Sequence, residues 1–139
     1  MNTPVSVGYS GTPLAKKLGY KPSSRVLVLA APDEYAAWLQ PLPEGVVFVA
    51  RMGTDVDLIH VFVTTREDLA RHLGALRTAI RSDAALWVSW PKKAAKVPTT
   101  ITEDVIRELA LPLGFVDVKV CAVSAVWSGL KLVVRKELR

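Results

Sequence analysis

The chain is short of the residues that make covalent staples and metal cages. Its single cysteine, Cys121, excludes an intramolecular disulfide. Two histidines and one cysteine are too few for a zinc site built from those ligands. The first ten residues have no basic start followed by an apolar run, and no stretch reads as a membrane span. Neither a leader nor a membrane role is expected, so the default location is cytoplasmic. Repeats, low-complexity tracts and an interdomain linker are absent too. The most informative absence is local. Arg25-Val-Leu-Val-Leu-Ala-Ala-Pro32 reads as the first buried strand of a doubly wound α/β domain. In nucleotide-binding versions of that architecture the next turn is rich in glycine, which lets the backbone turn tightly and approach a phosphate or a cofactor edge. Here the turn is Ala30-Ala31-Pro32-Asp33-Glu34, without glycine.

What is present is ordinary globular material. The 139 residues are 50% hydrophobic and 22% charged, enough for one domain with a real core. The formal net charge is +5, but the basic residues are spread along the chain, and a basic average points to nucleic acid only when it forms a patch.

Residues 1–11 read as a flexible arm. A short helix follows, with Thr12 as cap, Pro13 at its first position and Gly19 at its exit. The strand at 25–31 leads to a short helix over 33–40, ended by Gln40-Pro-Leu-Pro-Glu-Gly45. Val46–Ala50 and Val56–Val63 are apolar, β-branched runs and read as strands covered on both faces. Thr64-Thr-Arg-Glu67 has the form of a capping box. It opens a helix whose stripe is Leu69, Leu73, Leu76 and Ile80. Ala85–Trp90 is a fourth strand. After a lysine-bearing loop, Thr100 or Thr102 caps a helix that ends near Pro112-Leu-Gly114. Phe115–Val123 and Leu130–Leu138 then form an antiparallel hairpin at a sheet edge. The alternating charges of its last strand work against pairing with a second copy, although an exposed edge leaves room for a homodimer.

Strands thus alternate with helices until a final strand pair. This predicts a mainly parallel sheet with helices on both faces and a C-terminal antiparallel strand. The order resembles the class I S-adenosylmethionine-dependent methyltransferases. The connection Arg51-Met-Gly-Thr-Asp-Val56 leaves no room for a further helix and strand, so a reduced version of that Rossmann-like sheet is expected. Tyr9–Gly19, Leu86-Trp-Val-Ser-Trp-Pro-Lys-Lys93, Leu111–Ala122 and Trp127-Ser-Gly-Leu-Lys-Leu132 are similar to a small bacterial family known as a domain of unknown function. That resemblance implies a fold and supplies no activity. Against the methyltransferases the carry-over fails at two places. Leu29-Ala30-Ala31-Pro32 stands where an acid and a glycine-rich turn are usual. Ala50-Arg51 stands where an acid usually accepts the ribose hydroxyls. Arginine offers only donors and a positive charge, which suits a phosphate better than a diol.

The strongest candidate site is Trp90-Pro-Lys-Lys-Ala-Ala-Lys-Val-Pro-Thr-Thr100. It leaves the carboxyl end of a parallel strand, where open α/β sheets bind ligands, and runs into a helix start. Lys92, Lys93, Lys96, Thr99 and Thr100, with Arg51 on the same rim, form a candidate anion site. The alternative is a solvated loop with capping threonines. Trp90 and Trp127 are candidate stacking or partner contacts, against which stands the habit of tryptophan to pack inward. His60, inside an apolar strand, reads as a core histidine with a hydrogen-bond partner. Cys121 reads as a buried, inert thiol. No catalytic constellation and no cofactor are predicted. The expectation is therefore a non-catalytic binding or regulatory protein that uses its basic rim for an anionic small molecule or a protein partner. A divergent methyltransferase or other small transferase is the alternative, and a nucleic-acid module a third.

Overall fold

The computed structural model describes residues 12–139, so the expected arm over 1–11 lies outside the described residues. Six strands form one sheet in the order β2-β1-β3-β4-β6-β5. The strands are β1 (Arg25–Leu29), β2 (Val47–Val49), β3 (Leu58–Phe62), β4 (Ala85–Pro91), β5 (Phe115–Ala122) and β6 (Trp127–Val134). β1 to β4 are mutually parallel, whereas β6 pairs antiparallel with both β4 and β5. This is the predicted mainly parallel sheet with antiparallel C-terminal strands, a reduced Rossmann-like fold of the methyltransferase type.

Helices α1 (Leu14–Leu18) and α2 (Tyr35–Trp38) cover one face. Helices α3 (Arg66–Ala79) and α4 (Glu103–Ala110) cover the other. α3 buries the predicted stripe Leu69, Leu73, Leu76 and Ile80 against Ile59, Val61, Leu86 and Val88. α1 ends at Gly19, whose φ of 93° needs the left-handed freedom of glycine.

Several expectations need correction. α1 begins at Leu14, with Pro13 as its flanking residue rather than its first helical one. The cap of α3 is Thr65, whose Oγ1 accepts from the backbone N–H of Asp68 at 3.2 Å, not Thr64. Two adjacent threonines satisfy the same pattern, and the chain path picks the second. Thr102 caps α4 through the N–H of Val105. β2 is not covered on both faces: it is a three-residue edge strand with Val47 46% and Phe48 48% exposed. The hairpin is folded inward, so that β6 lies between β4 and β5, and β5 forms the edge; within β6 only Lys131 is charged, and Arg135, Lys136 and Glu137 lie past its end. A bulge between Asp117 and Lys119 breaks the alternation of β5 and leaves Val118 and Val120 exposed.

Candidate functional site

The strand order reverses direction at β1, which has β2 on one side and β3 on the other. In open α/β sheets the crevice for ligands forms outside the carboxyl ends of the strands at such a point. Here that end of β1 is Leu29, and the residue after it, Ala30, has a φ of 60°. An alanine in the left-handed region costs about 1–2 kcal/mol. The turn therefore holds a backbone conformation that glycine adopts freely, without glycine. The chain continues through Ala31 and Pro32 to the single-turn helix α2, tied back by the N–H of Tyr35 to Pro32 O at 3.0 Å. Asp33 and Glu34 are exposed on this turn and have no ion pair among the described residues.

A buried polar chain supports the crevice from beneath. Tyr35 Oη lies 2.7 Å from His60 Nδ1 and 2.9 Å from Tyr20 Oη, and His60 Nε2 lies 2.7 Å from Ser89 Oγ. His60 and Ser89 are both fully buried. A neutral imidazole has one donor and one acceptor nitrogen, so a single direction of hydrogen bonding satisfies the whole chain. Burial pushes the His60 pKa down to about 3 and that of Tyr20 up to about 12, and drives that of Tyr35 far upward. The imidazole also stacks on Phe62, with ring centroids 4.4 Å apart, and Phe62 meets Trp127 edge-on at 5.1 Å. The sequence flagged His60 as needing a partner. It could not name Tyr35 or Ser89, which stand 25 and 29 residues away.

The sequence-derived anion residues fall in two places. Lys92, Lys93 and Lys96 share the loop leaving β4, none with an ion pair among the described residues. The N–H of Lys92 donates to Val126 O at 2.7 Å, which joins this loop to the β5–β6 turn carrying Trp127. Thr99 and Thr100 belong to the same loop, but their hydroxyls are used locally. Thr99 Oγ1 donates to Thr64 O, and Thr100 Oγ1 accepts from the N–H of Arg66, each at 2.7 Å. Trp90 is buried in the core beneath α3 and α4. Arg51 is exposed just past β2, three strand positions from β4, or roughly 14 Å at ordinary strand spacing. Cys121 is half-buried, and burial raises its thiol pKa. A separate cavity of about 440 Å³ opens at the opposite, amino-terminal ends of β3 and β4, where Lys21, Asp57, Arg81 and Lys131 line it. Among the described residues no group of three or more His, Cys, Asp or Glu could hold a metal ion. No helix among them is long and apolar enough to cross a membrane.

No protein-family model and no curated protein matches this chain. Solved structures do match. An S-adenosylmethionine-dependent methyltransferase from Aquifex aeolicus superposes with a TM-score of 0.62 at 13% identity, over 88% of this chain and 88% of that one. Aeropyrum pernix fibrillarin, with natively bound S-adenosyl-L-methionine, gives 0.56 at 14% identity, over 86% and 73%. TrmN from Thermus thermophilus gives 0.57 at 12%; this chain spans 88% of its own length but only 47% of that protein. These likenesses establish the class I methyltransferase fold. They also correct two expectations, that the chain is a non-catalytic binding or regulatory protein and that it takes no cofactor. The Aquifex aeolicus protein of the same fold is an S-adenosylmethionine-dependent methyltransferase, and the Aeropyrum pernix fibrillarin holds S-adenosyl-L-methionine. The lack of glycine in the turn Ala30–Glu34 does not remove its left-handed conformation, which Ala30 adopts instead.

Proposed function

We propose that this chain is a divergent S-adenosylmethionine-dependent methyltransferase whose donor crevice lies at the carboxyl ends of β1 and β3. The observation that carries this reading is the left-handed Ala30 at the point where the strand order reverses. The fit of the residues there to the donor is good on one side. Ala30 and Ala31 have the smallest side chains after glycine, so the backbone can approach a ligand closely. Asp33 and Glu34 supply free carboxylates for the ammonium of the amino-acid moiety. The ribose side departs, because Ala50-Arg51 offers no acceptor. Bound in this crevice, S-adenosylmethionine supplies an electrophilic methyl group. The chain's own part is to hold the ligand on a turn fixed by Tyr35, and to present acceptors along the ledge of Lys92, Lys93 and Lys96. That unpaired positive charge favours an anionic acceptor.

Calorimetric titration with S-adenosylhomocysteine tests the donor site. Saturable one-to-one binding is expected, weakened several-fold in a double Asp33→Ala, Glu34→Ala variant. No heat and no thermal shift at millimolar ligand would overturn the proposal.

A further inference from the structure

Arg51 is the one arginine of nine that holds no hydrogen bond or ion pair among the described residues. The other eight each hold a carboxylate or a carbonyl oxygen, as Arg25 holds Asp55 and Arg81 holds Asp57. The acids of its own connection are committed elsewhere: Asp55 to Arg25, and Asp57 to Arg81 and the N–H of Arg25. Arg51 thus stands exposed with five donors and no counter-ion nearby in its own loop.

Its position gives that charge a meaning. β2 runs parallel to β1 in the register Arg25↔Val47, Val26↔Phe48, Leu27↔Val49. The ladder ends at Leu27↔Val49 and the chain bends at Ala50 and Arg51, so Arg51 lies just past the carboxyl end of β2, at the same end of the sheet as Leu29 and the left-handed Ala30. Arg51 follows Ala30 by 21 residues. In nucleotide-binding α/β sheets a residue about 20 positions after the first turn meets the ribose, as an acid where the hydroxyls are free and as an arginine where one carries phosphate. A planar guanidinium binds phosphate through two parallel charge-assisted hydrogen bonds.

We infer that the crevice takes adenosine ligands bearing a 2′- or 3′-phosphate, which compete with the methyl donor, and that Arg51 selects them over ligands with a free ribose. This rests on the crevice being an adenosine site, as proposed above.

The test titrates the whole chain with adenosine, adenosine 2′-monophosphate, adenosine 3′-monophosphate, inorganic phosphate and S-adenosylhomocysteine. At least one phosphorylated nucleoside is expected to bind ten-fold or more tighter than adenosine and to displace S-adenosylhomocysteine. Arg51→Ala and Arg51→Gln should erase that advantage and leave the affinity for adenosine within two-fold. Because Arg51 is exposed and unpaired, both variants should melt with the parent. Equal affinity for phosphorylated and plain adenosine, an advantage that survives both substitutions, or inorganic phosphate binding as tightly as the nucleotides would each overturn the inference. Binding of S-adenosylhomocysteine without any phosphate preference overturns it while the donor reading stands. Arg51-dependent binding of phosphorylated nucleosides in the absence of S-adenosylhomocysteine binding overturns the donor reading and the competition with it, while the phosphate selection by Arg51 stands. No binding by any adenosine compound overturns both.

Discussion

The two faces of the sheet are built on different principles. On the α3–α4 face the strands present Leu27, Ile59, Val61, Leu86, Val88, Leu130 and Leu132, and the helices answer with Leu69, Leu73, Leu76 and Ile106. Among the described residues that layer has no buried Ser, His, Asn, Gln or charged side chain. On the α1–α2 face Val26, Leu58, Phe62 and Trp87 share the space with Tyr20, Tyr35, His60 and Ser89. Helix length explains the contrast. α3 has 14 residues and can lay a full apolar stripe on the sheet, whereas α1 has 5 and α2 has 4. Two such short pieces cover little area, so large rings and hydrogen bonds reach where a helix would have lain. Trp87 does both: its ring is fully buried, and its indole N–H donates to Leu18 O at 2.8 Å, which pins the end of α1 to the sheet. One face is held by shape and area, the other by partners.

The largest expected effect breaks the apolar face. Leu73→Ala deletes a fully buried side chain from a close-packed layer and should lower stability by about 3 kcal/mol, read as a fall in the urea midpoint. A loss under 1 kcal/mol would mean that the layer collapses into the gap. A smaller effect is expected on the other face. Tyr35→Phe keeps the ring but leaves His60 Nδ1 and Tyr20 Oη without that partner, at a cost of about 2 kcal/mol. Unchanged stability in chemical denaturation would show that the hydroxyl is not needed there.

The remaining test sharpens the contrast by pH, with an effect that is small at pH 7 and grows to about 2 kcal/mol at pH 5. The folded His60 titrates at about 3 and an unfolded histidine at 6.5. Above 6.5 both are neutral, and the group adds no pH dependence. As pH falls below 6.5 the unfolded chain takes up a proton that the buried imidazole refuses, so stability declines by about 1.4 kcal/mol per unit down to about pH 3. Denaturation series at pH 7, 6 and 5 should show this slope, and His60→Gln should flatten it. Asp57 is held low first by the N–H of Arg25 and then by Arg81. Its stabilisation is lost only as pH falls below the ordinary carboxylate range, so it survives in that variant and marks the lower window. An equal slope in the variant would place the acid sensitivity elsewhere.

The same contrast explains what could be read from the residues. The apolar face was legible almost in full, because its stripes repeat at helical and strand periods that local sequence displays. The edge position of β2 was not. A short run such as Val46-Val-Phe-Val-Ala50 looks alike whether it is covered or open, and strand order is decided by tertiary packing. The inward placement of β6 was hidden for the same reason. The polar chain was half visible: His60 in an apolar run called for a partner, but side chains 25 and 29 residues away leave no local mark. The turn after β1 was legible as a turn, but its left-handed conformation was not, because an alanine does not announce it. Glycine makes a left-handed residue easy, but Ala30 adopts it at a cost that its surroundings must offset.

The inward position of β6 has a consequence for the growing chain. β6 is the last of the described strands along the chain, yet it separates β4 from β5 and hydrogen-bonds to both. During synthesis from the N-terminus, β1 to β4 can pair as each emerges, while β5 has nothing to join until residues 127–134 arrive. In that interval β4 offers an open row of backbone donors and acceptors beside Trp87 and Val88, the kind of surface on which nascent chains associate wrongly. The sheet is therefore sealed from within by β6, and a chain lacking residues 127–134 would leave β4 and β5 unpaired on the edges that meet it.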